Sequence, residues 1–366
     1  MGQRRTAALA LAAFYAGLIV YASLYPFEGW RVQGIAPWSF LWAPLPRYWT
    51  GFDLVSNVLG YAPLGFLVSL AVQRTHPRWP AVRLATALAL LLSLAMESLQ
   101  MFLPARVPSN VDWALNALGA LCGAGAARAL EGWGLLVHWS RFRERWFVGE
   151  SSGVVVLLAL WPLALLFPVA VPFGLGQVYE RAEAALVHAL TDTPWIDWLP
   201  LREVELQPLL PVSEWLCIAV GLMLPCLLAY SVLRTVRQRL LAGAYGLVLG
   251  VAVSTLSAAL SYGPSHAGDW ISPEVLVGLG LAVAALLLLL ASSARGCLVV
   301  ALVLLVWQLV LLNQAPADVY FAQTLQNWEQ GRFIRFHGLI QWLGWLWPYA
   351  VLWHLVRRLS AGSARA

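Results

Sequence analysis

An all-α, polytopic transmembrane helical bundle of about ten spans is the fold this sequence predicts, and three observations predict it. The 366 residues are 60% hydrophobic and only 11% charged, far from the roughly one-quarter charged usage of soluble domains. The mean hydropathy is +0.72. Apolar runs that reach or exceed the roughly 20 residues needed to cross a bilayer recur along the chain, parted by Arg-bearing or Pro-rich breaks. Together these exclude a soluble cytosolic enzyme, a disordered chain and a secreted disulfide scaffold. The net charge of +5 lies in short clusters between apolar runs, the footprint of membrane topology and not of nucleic-acid binding, so no nucleic-acid partner is expected.

In chain order the predicted spans are 7–25, 52–73, 82–103, 112–130, 153–175, 212–233, 240–262, 275–293, 296–314 and 337–356. The first follows Arg4 and Arg5 and has no small-residue cleavage site after it, so it reads as a retained anchor. Every basic residue is Arg. With a cytoplasmic N-terminus, 16 of the 23 fall on the inner face, and Arg near span ends resists translocation. Both termini are therefore expected inside, with the Trp-rich stretch 26–51 and the segment 176–211 outside. Val178 to Leu190 alternates charged and apolar residues as an interfacial helix does, and the many Trp near span ends read as bilayer anchors. Cys122, Cys217, Cys226 and Cys297 lie in apolar segments with no CxxC spacing and no neighbouring His, so they read as packing residues, and neither a metal nor a cofactor is expected.

A faint internal repeat organises the chain. Asp53, Asn57, Gly60 and Pro63 around the second span are echoed by Glu214, Ile218, Gly221 and Pro225 around the sixth, and by His337, Gln341, Gly344 and Pro348 around the tenth. Pro26-Phe27 is echoed by Pro172-Phe173, and Pro104 by Pro264. Four spans per copy is an even number, so the copies share one orientation and the repeat is parallel. The expected division is a four-helix unit at 1–147, a degenerate second four-helix unit at 148–293, and a two-helix half unit at 294–366.

The chemistry concentrates in the first unit. Asp53 and Asn57 stand at i and i+4 where the second span opens, and Asp112 and Asn116 repeat that spacing where the fourth opens. Glu97 and Gln100 lie near the outer end of the third span, and Arg106 is in the connector that follows. A carboxylate at the centre of a span costs roughly 2.5–3.5 kcal/mol on insertion scales, so such groups face a bundle interior or a wet cavity. Three acids with one base leave a local charge deficit for water, protonation or a cationic ligand to meet. A plainer account also fits the two Asp, which sit at helix N-termini where capping and the macrodipole favour an acid, with the Asn tying helices together. No HExxH or GxGD-type signal is present, and no catalytic residue is assigned. Gly119 and Gly123 have GxxxG spacing and, with Gly125 and the intervening Ala, form a small-residue face for close helix packing. Pro63 and Gly65 predict a kink that widens the outer side of the bundle. His337, Gln341 and His354 read as packing or interfacial groups.

The run FDLVSNVLGYAPLGFL from Phe52 to Leu67, MESLQ from Met96 to Gln100, and ARVPSNVDWALNALGALCG from Ala105 to Gly123 resemble the VanZ-like family of membrane proteins. The resemblance rests on Asp-x3-Asn, Pro-Leu-Gly, Glu-x2-Gln and Arg-x5-Asp-x3-Asn in order, and covers about residues 10–130. It implies a ligand-binding set of Asp53, Asn57, Glu97, Gln100, Arg106, Asp112 and Asn116. The family takes its name from a protein that lowers susceptibility to the glycopeptide teicoplanin, which implies a role in the bacterial cell envelope without naming a reaction. The expectation is a non-enzymatic, multi-pass protein of the bacterial inner (plasma) membrane. Its partners are the lipid bilayer and a lipid-linked glycan or glycopeptide bound in an outward-facing pocket, with effects on glycopeptide susceptibility or surface polysaccharide handling. The alternative is a transporter or lipid-moving protein with proton coupling through Glu97.

Overall fold

The computed structural model describes residues 7–363 other than 26, 28, 46–50, 77–78, 105, 149–150, 199–205 and 317–333. The described residues form twelve α-helices and no named strand. The chain divides into two compact units, Met1–Phe142 and Arg143–Ala366. Five helical stretches are long and apolar enough to cross a membrane: Leu54–Thr75, Ala81–Gln100, Pro211–Val232, Val236–Tyr262 and Ala294–Leu312.

The first unit is built on α1 (Ala7–Leu24), α2 (Gly51–Thr75), α3 (Ala81–Gln100) and α4 (Asn110–Gly132). Small residues decide how they pack. A Cβ added to Gly119 would run into the Val58 carbonyl, one on Gly123 into the Ala62 carbonyl, and one on Gly65 into the backbone of Ala120. Three glycines thus bring the main chains of α2 and α4 into direct contact, the close approach that GxxxG spacing permits. The third glycine of the expected face, Gly125, takes no part and has open space around it. The widening expected at Pro63 and Gly65 is not found between these two helices. Pro63 lies inside an unbroken helix, and Gly65 is a point of closest approach. On α3 a stripe at four-residue spacing, Ala81, Ala85, Ala89, Ser93 and Glu97, is buried, so the face that seats α3 against its neighbours is small until it ends in a carboxylate.

Helix α5 (Leu135–Trp146), which no apolar run signalled, carries the boundary between the units. In the second unit α6 (Ser152–Leu165), α7 (Tyr179–Leu190), α8 (Pro211–Val232), α9 (Val236–Tyr262), α10 (Pro273–Leu288), α11 (Ala294–Leu312) and α12 (Ile334–Ser363) follow. Every residue of α8 from Cys217 to Val232 is buried, as a helix apolar on all sides must be when others surround it. The span expected over 153–175 stops as a helix at Leu165. Pro168 lacks the N–H a further turn needs, and the chain turns at Phe173, which adopts a positive φ of 62°. Helix α9 starts at Val236, four residues before the apolar run, because Thr235 and Gln238 form a capping box. Cys217, Cys226 and Cys297 are buried and Cys122 is exposed, all as free thiols.

Candidate functional site

The N-terminal end of α2, the C-terminal end of α3 and the N-terminal end of α4 carry the polar residues singled out by sequence. Ser109 caps α4, its hydroxyl accepting from the amides of Val111 and Asp112, and this fixes where the fourth helix begins. Asp112 then stands in the first turn, where the helix dipole favours an anion. Its Oδ1 accepts a hydrogen bond of 2.9 Å from Asn57 Nδ2. One Asp–Asn pair therefore joins α2 and α4 just beyond their glycine contact.

Glu97, at 4% exposure, is the most enclosed acid among the described side chains of the unit. Its Oε2 accepts from the Ser109 amide at 2.9 Å, so the residue that caps α4 through its side chain also touches the buried carboxylate through its backbone. One turn deeper, Asn116 donates to Ser93 Oγ at 3.0 Å, and the Trp113 indole donates to the Leu90 carbonyl at 3.3 Å. Near Ser93 and Glu97 lies the buried hydroxyl of Tyr61. That hydroxyl and Asn116 Oδ1 make no hydrogen bond with any described group. Two buried polar atoms without partners, beside a buried carboxylate, mark a place where water or a ligand atom gains by entering.

Gln100 and Arg106 also hold the end of α1. Gln100 Nε2 donates to the Ser23 carbonyl at 3.0 Å, and Arg106 donates to the Tyr25 carbonyl at 2.6 Å. Both meet main-chain acceptors that the end of α1 leaves without helical partners. The loop beyond α1 is strapped to the end of α3 as well, through Gln33 to the Met101 carbonyl at 2.7 Å and Arg31 N to the Phe102 carbonyl at 2.9 Å. The side chain of Asp53 lies outside the described residues, as does that of His337.

The structure thus brings Asn57 to Asp112, seats Glu97 against the start of α4, and places Asn116 on the same wall. Neither Tyr61 nor Ser93 was among the site residues singled out by sequence. The four-residue rhythm from Ala81 to Glu97 would have marked Ser93, and Ser109 ahead of Asp112 was legible as a helix start. Among the described residues no three His, Cys, Asp or Glu side chains group as metal ligands.

No curated protein and no solved structure matches the chain. The family match falls on the unit just described: residues 6–131 fit the VanZ/LLP1 family model, so this stretch is similar to that family.

Proposed function

We propose that this is a ten-span protein of the bacterial inner membrane, with both termini cytoplasmic, whose N-terminal unit presents a polar site to the outer surface and binds a component of the cell envelope. The carrying observation is Glu97. It is buried at the end of an otherwise small-residue stripe, at the same end of the bundle as the Asn57–Asp112 pair. Carboxylate, amide and hydroxyl groups together suit a ligand rich in hydroxyl and amide groups, as a lipid-linked glycan or a glycopeptide is. Such a site would influence glycopeptide susceptibility or surface polysaccharide handling by holding that ligand. Asp53 belongs to the same proposal through its place in the first turn of α2. Gln100 and Arg106 act by fixing the end of α1 beside the site.

The proposed organisation is a parallel repeat, with 148–293 as the altered copy and 294–366 as a half copy. Two internal likenesses support it. Phe27 and Phe173 are the two non-glycine residues with positive φ among the described residues, and they are the partners in the echo of Pro26-Phe27 by Pro172-Phe173. Ser272 caps α10 as Ser109 caps α4.

The test is complementation of a strain lacking the protein with Glu97→Gln and with Asp112→Asn, each checked for normal membrane abundance. Both variants are expected to lose most of the rescue of the envelope or drug phenotype. Full rescue by both defeats the reading. A second reading, transport with proton coupling through Glu97, is favoured by the partnerless Tyr61 hydroxyl and Asn116 Oδ1 beside that carboxylate. Uptake or lipid scrambling in proteoliposomes that depends on both pH and Glu97 would select it.

A further inference from the structure

We propose that the second unit has a ligand pocket of its own and that this pocket takes an ammonium group. It is a cavity of about 660 Å³ at the start of α8, the end of α9 and the start of α10, and its walls include Glu214, Tyr262, His266, Asp269, Trp270 and Ser272. The proposal stands apart from the reading of the first unit, since it concerns other residues and another ligand chemistry.

The aromatic wall is fixed in place before any ligand arrives. Trp270 donates its Nε1–H to Thr255 Oγ1 at 3.2 Å, and its ring meets Phe173 edge-on with centroids 6.0 Å apart. Phe173 is in turn seated by two glycines. A Cβ on Gly250 would stand 2.8 Å from the Phe173 ring, and one on Gly221 would press on the Phe173 carbonyl. This buried ring holds a left-handed backbone that L residues rarely adopt, a conformation that persists where the surroundings over-determine it. Gly221, Gly250, Phe173 and Thr255 together hold the indole where it is.

The charge of the pocket is one-sided. Among the described residues the Glu214 carboxylate has no hydrogen-bond or ion-pair partner, and Glu274 lies close enough to act on it as a second negative charge. Asp269 pairs with His266, Oδ2 to Nδ1, at 2.7 Å, and no Arg lines the cavity among the described residues. Two neighbouring carboxylates repel each other, and a cation between them relieves that repulsion. A carboxylate that shares a pocket with a fixed Trp ring and a Tyr ring is an arrangement that recognises alkylammonium groups, through ion pairing on one side and the ring quadrupole on the other. A neutral ligand would leave the Glu214 charge unmet. The ammonium can come from an amine-bearing lipid headgroup or from a small soluble amine, and both present the same group.

The experiment uses the purified full chain in nanodiscs of phosphatidylglycerol, which carry no amine. Choline and its uncharged isostere 3,3-dimethylbutanol are titrated by calorimetry, and spin-labelled phosphatidylethanolamine is compared with spin-labelled phosphatidylglycerol for retention. At least a tenfold preference for the ammonium form is expected in one arm or in both. Preference for choline identifies a soluble amine, and preference only for the lipid identifies a headgroup. E214Q is expected to cut that preference to below threefold. D269N, a change at an exposed side chain that folding tolerates, is expected to lower affinity at least threefold and decides the question if E214Q does not fold. Equal binding of charged and uncharged probes overturns the proposal, as does unchanged selectivity in both monodisperse variants.

Discussion

The hydroxyl of Tyr61 and the amide oxygen of Asn116 pose the sharpest energetic question in the first unit. A buried polar atom without a partner costs about 1–3 kcal/mol, and both lie beside Glu97 on side chains that are 5–6% exposed. Replacing Tyr61 with Phe removes one such atom while keeping the ring that packs with Leu64 and Met96. Tyr61→Phe is therefore expected to raise unfolding stability by about 1 kcal/mol, read as a higher Tm in detergent. A fall of similar size would mean that the hydroxyl has a partner in the working protein. Asn57 and Asp112 call for the opposite expectation, because removing one member of that pair strands the other. These residues were legible from the sequence as a spaced set. Their division of labour was not. Gln100 and Arg106 carry the same polar signature as Glu97, yet they satisfy the end of α1, and only the loop geometry around Tyr25 distinguishes the two uses.

At the scale of elements, the three glycines between α2 and α4 make a prediction with a built-in control. Gly123→Ala forces a methyl into the Ala62 carbonyl and is expected to cost about 1–3 kcal/mol, the usual penalty of overpacking. Gly125→Ala, two residues away with open space around it, is expected to gain about 0.5–1 kcal/mol from reduced backbone freedom. Thermal unfolding of the two variants side by side checks both signs. Helix positions were readable because apolar length is a strong signal. Each of the ten expected segments contains a helix among the described residues, but the one expected over 153–175 ends at Leu165, and five stretches meet the length and hydropathy needed to cross a membrane. The misses have physical causes. Helix α5 is too polar to register as an apolar run. The expected fifth span continued past Leu165 because apolar character continues there, and composition does not reveal that Pro168 and the left-handed Phe173 end the helix. Gly125 looked like its neighbours because spacing alone does not say which glycine faces a partner.

For the whole molecule, topology is the decisive quantity, since an outward-facing site requires the N-terminal end of α4 to lie outside. Val107, 86% exposed, precedes that helix, and exposed His138 lies beyond its other end. In a Cys122→Ala background, Val107→Cys is expected to react with a membrane-impermeant thiol reagent in intact cells, and His138→Cys only after permeabilisation. The reverse pattern would turn the site toward the cytosol and remove any envelope role. The two units also differ in buried charge. Among the described residues the first unit encloses the Glu97 carboxylate, whereas the buried polar side chains of the second, Ser151, Ser231, Ser257, Gln308 and Gln341, are uncharged.

The main-chain contact of α2 with α4 has a mechanical consequence. Helices joined through backbone atoms, with no side chains between them to slide or repack, behave as one stiff jaw. Any breathing around Glu97 then falls to α1 and α3, which are tied to that jaw by side-chain hydrogen bonds such as Tyr15 to the Gly60 carbonyl and Asn116 to Ser93. The straps from Arg31 and Gln33 to the tip of α3 would swing as the latch.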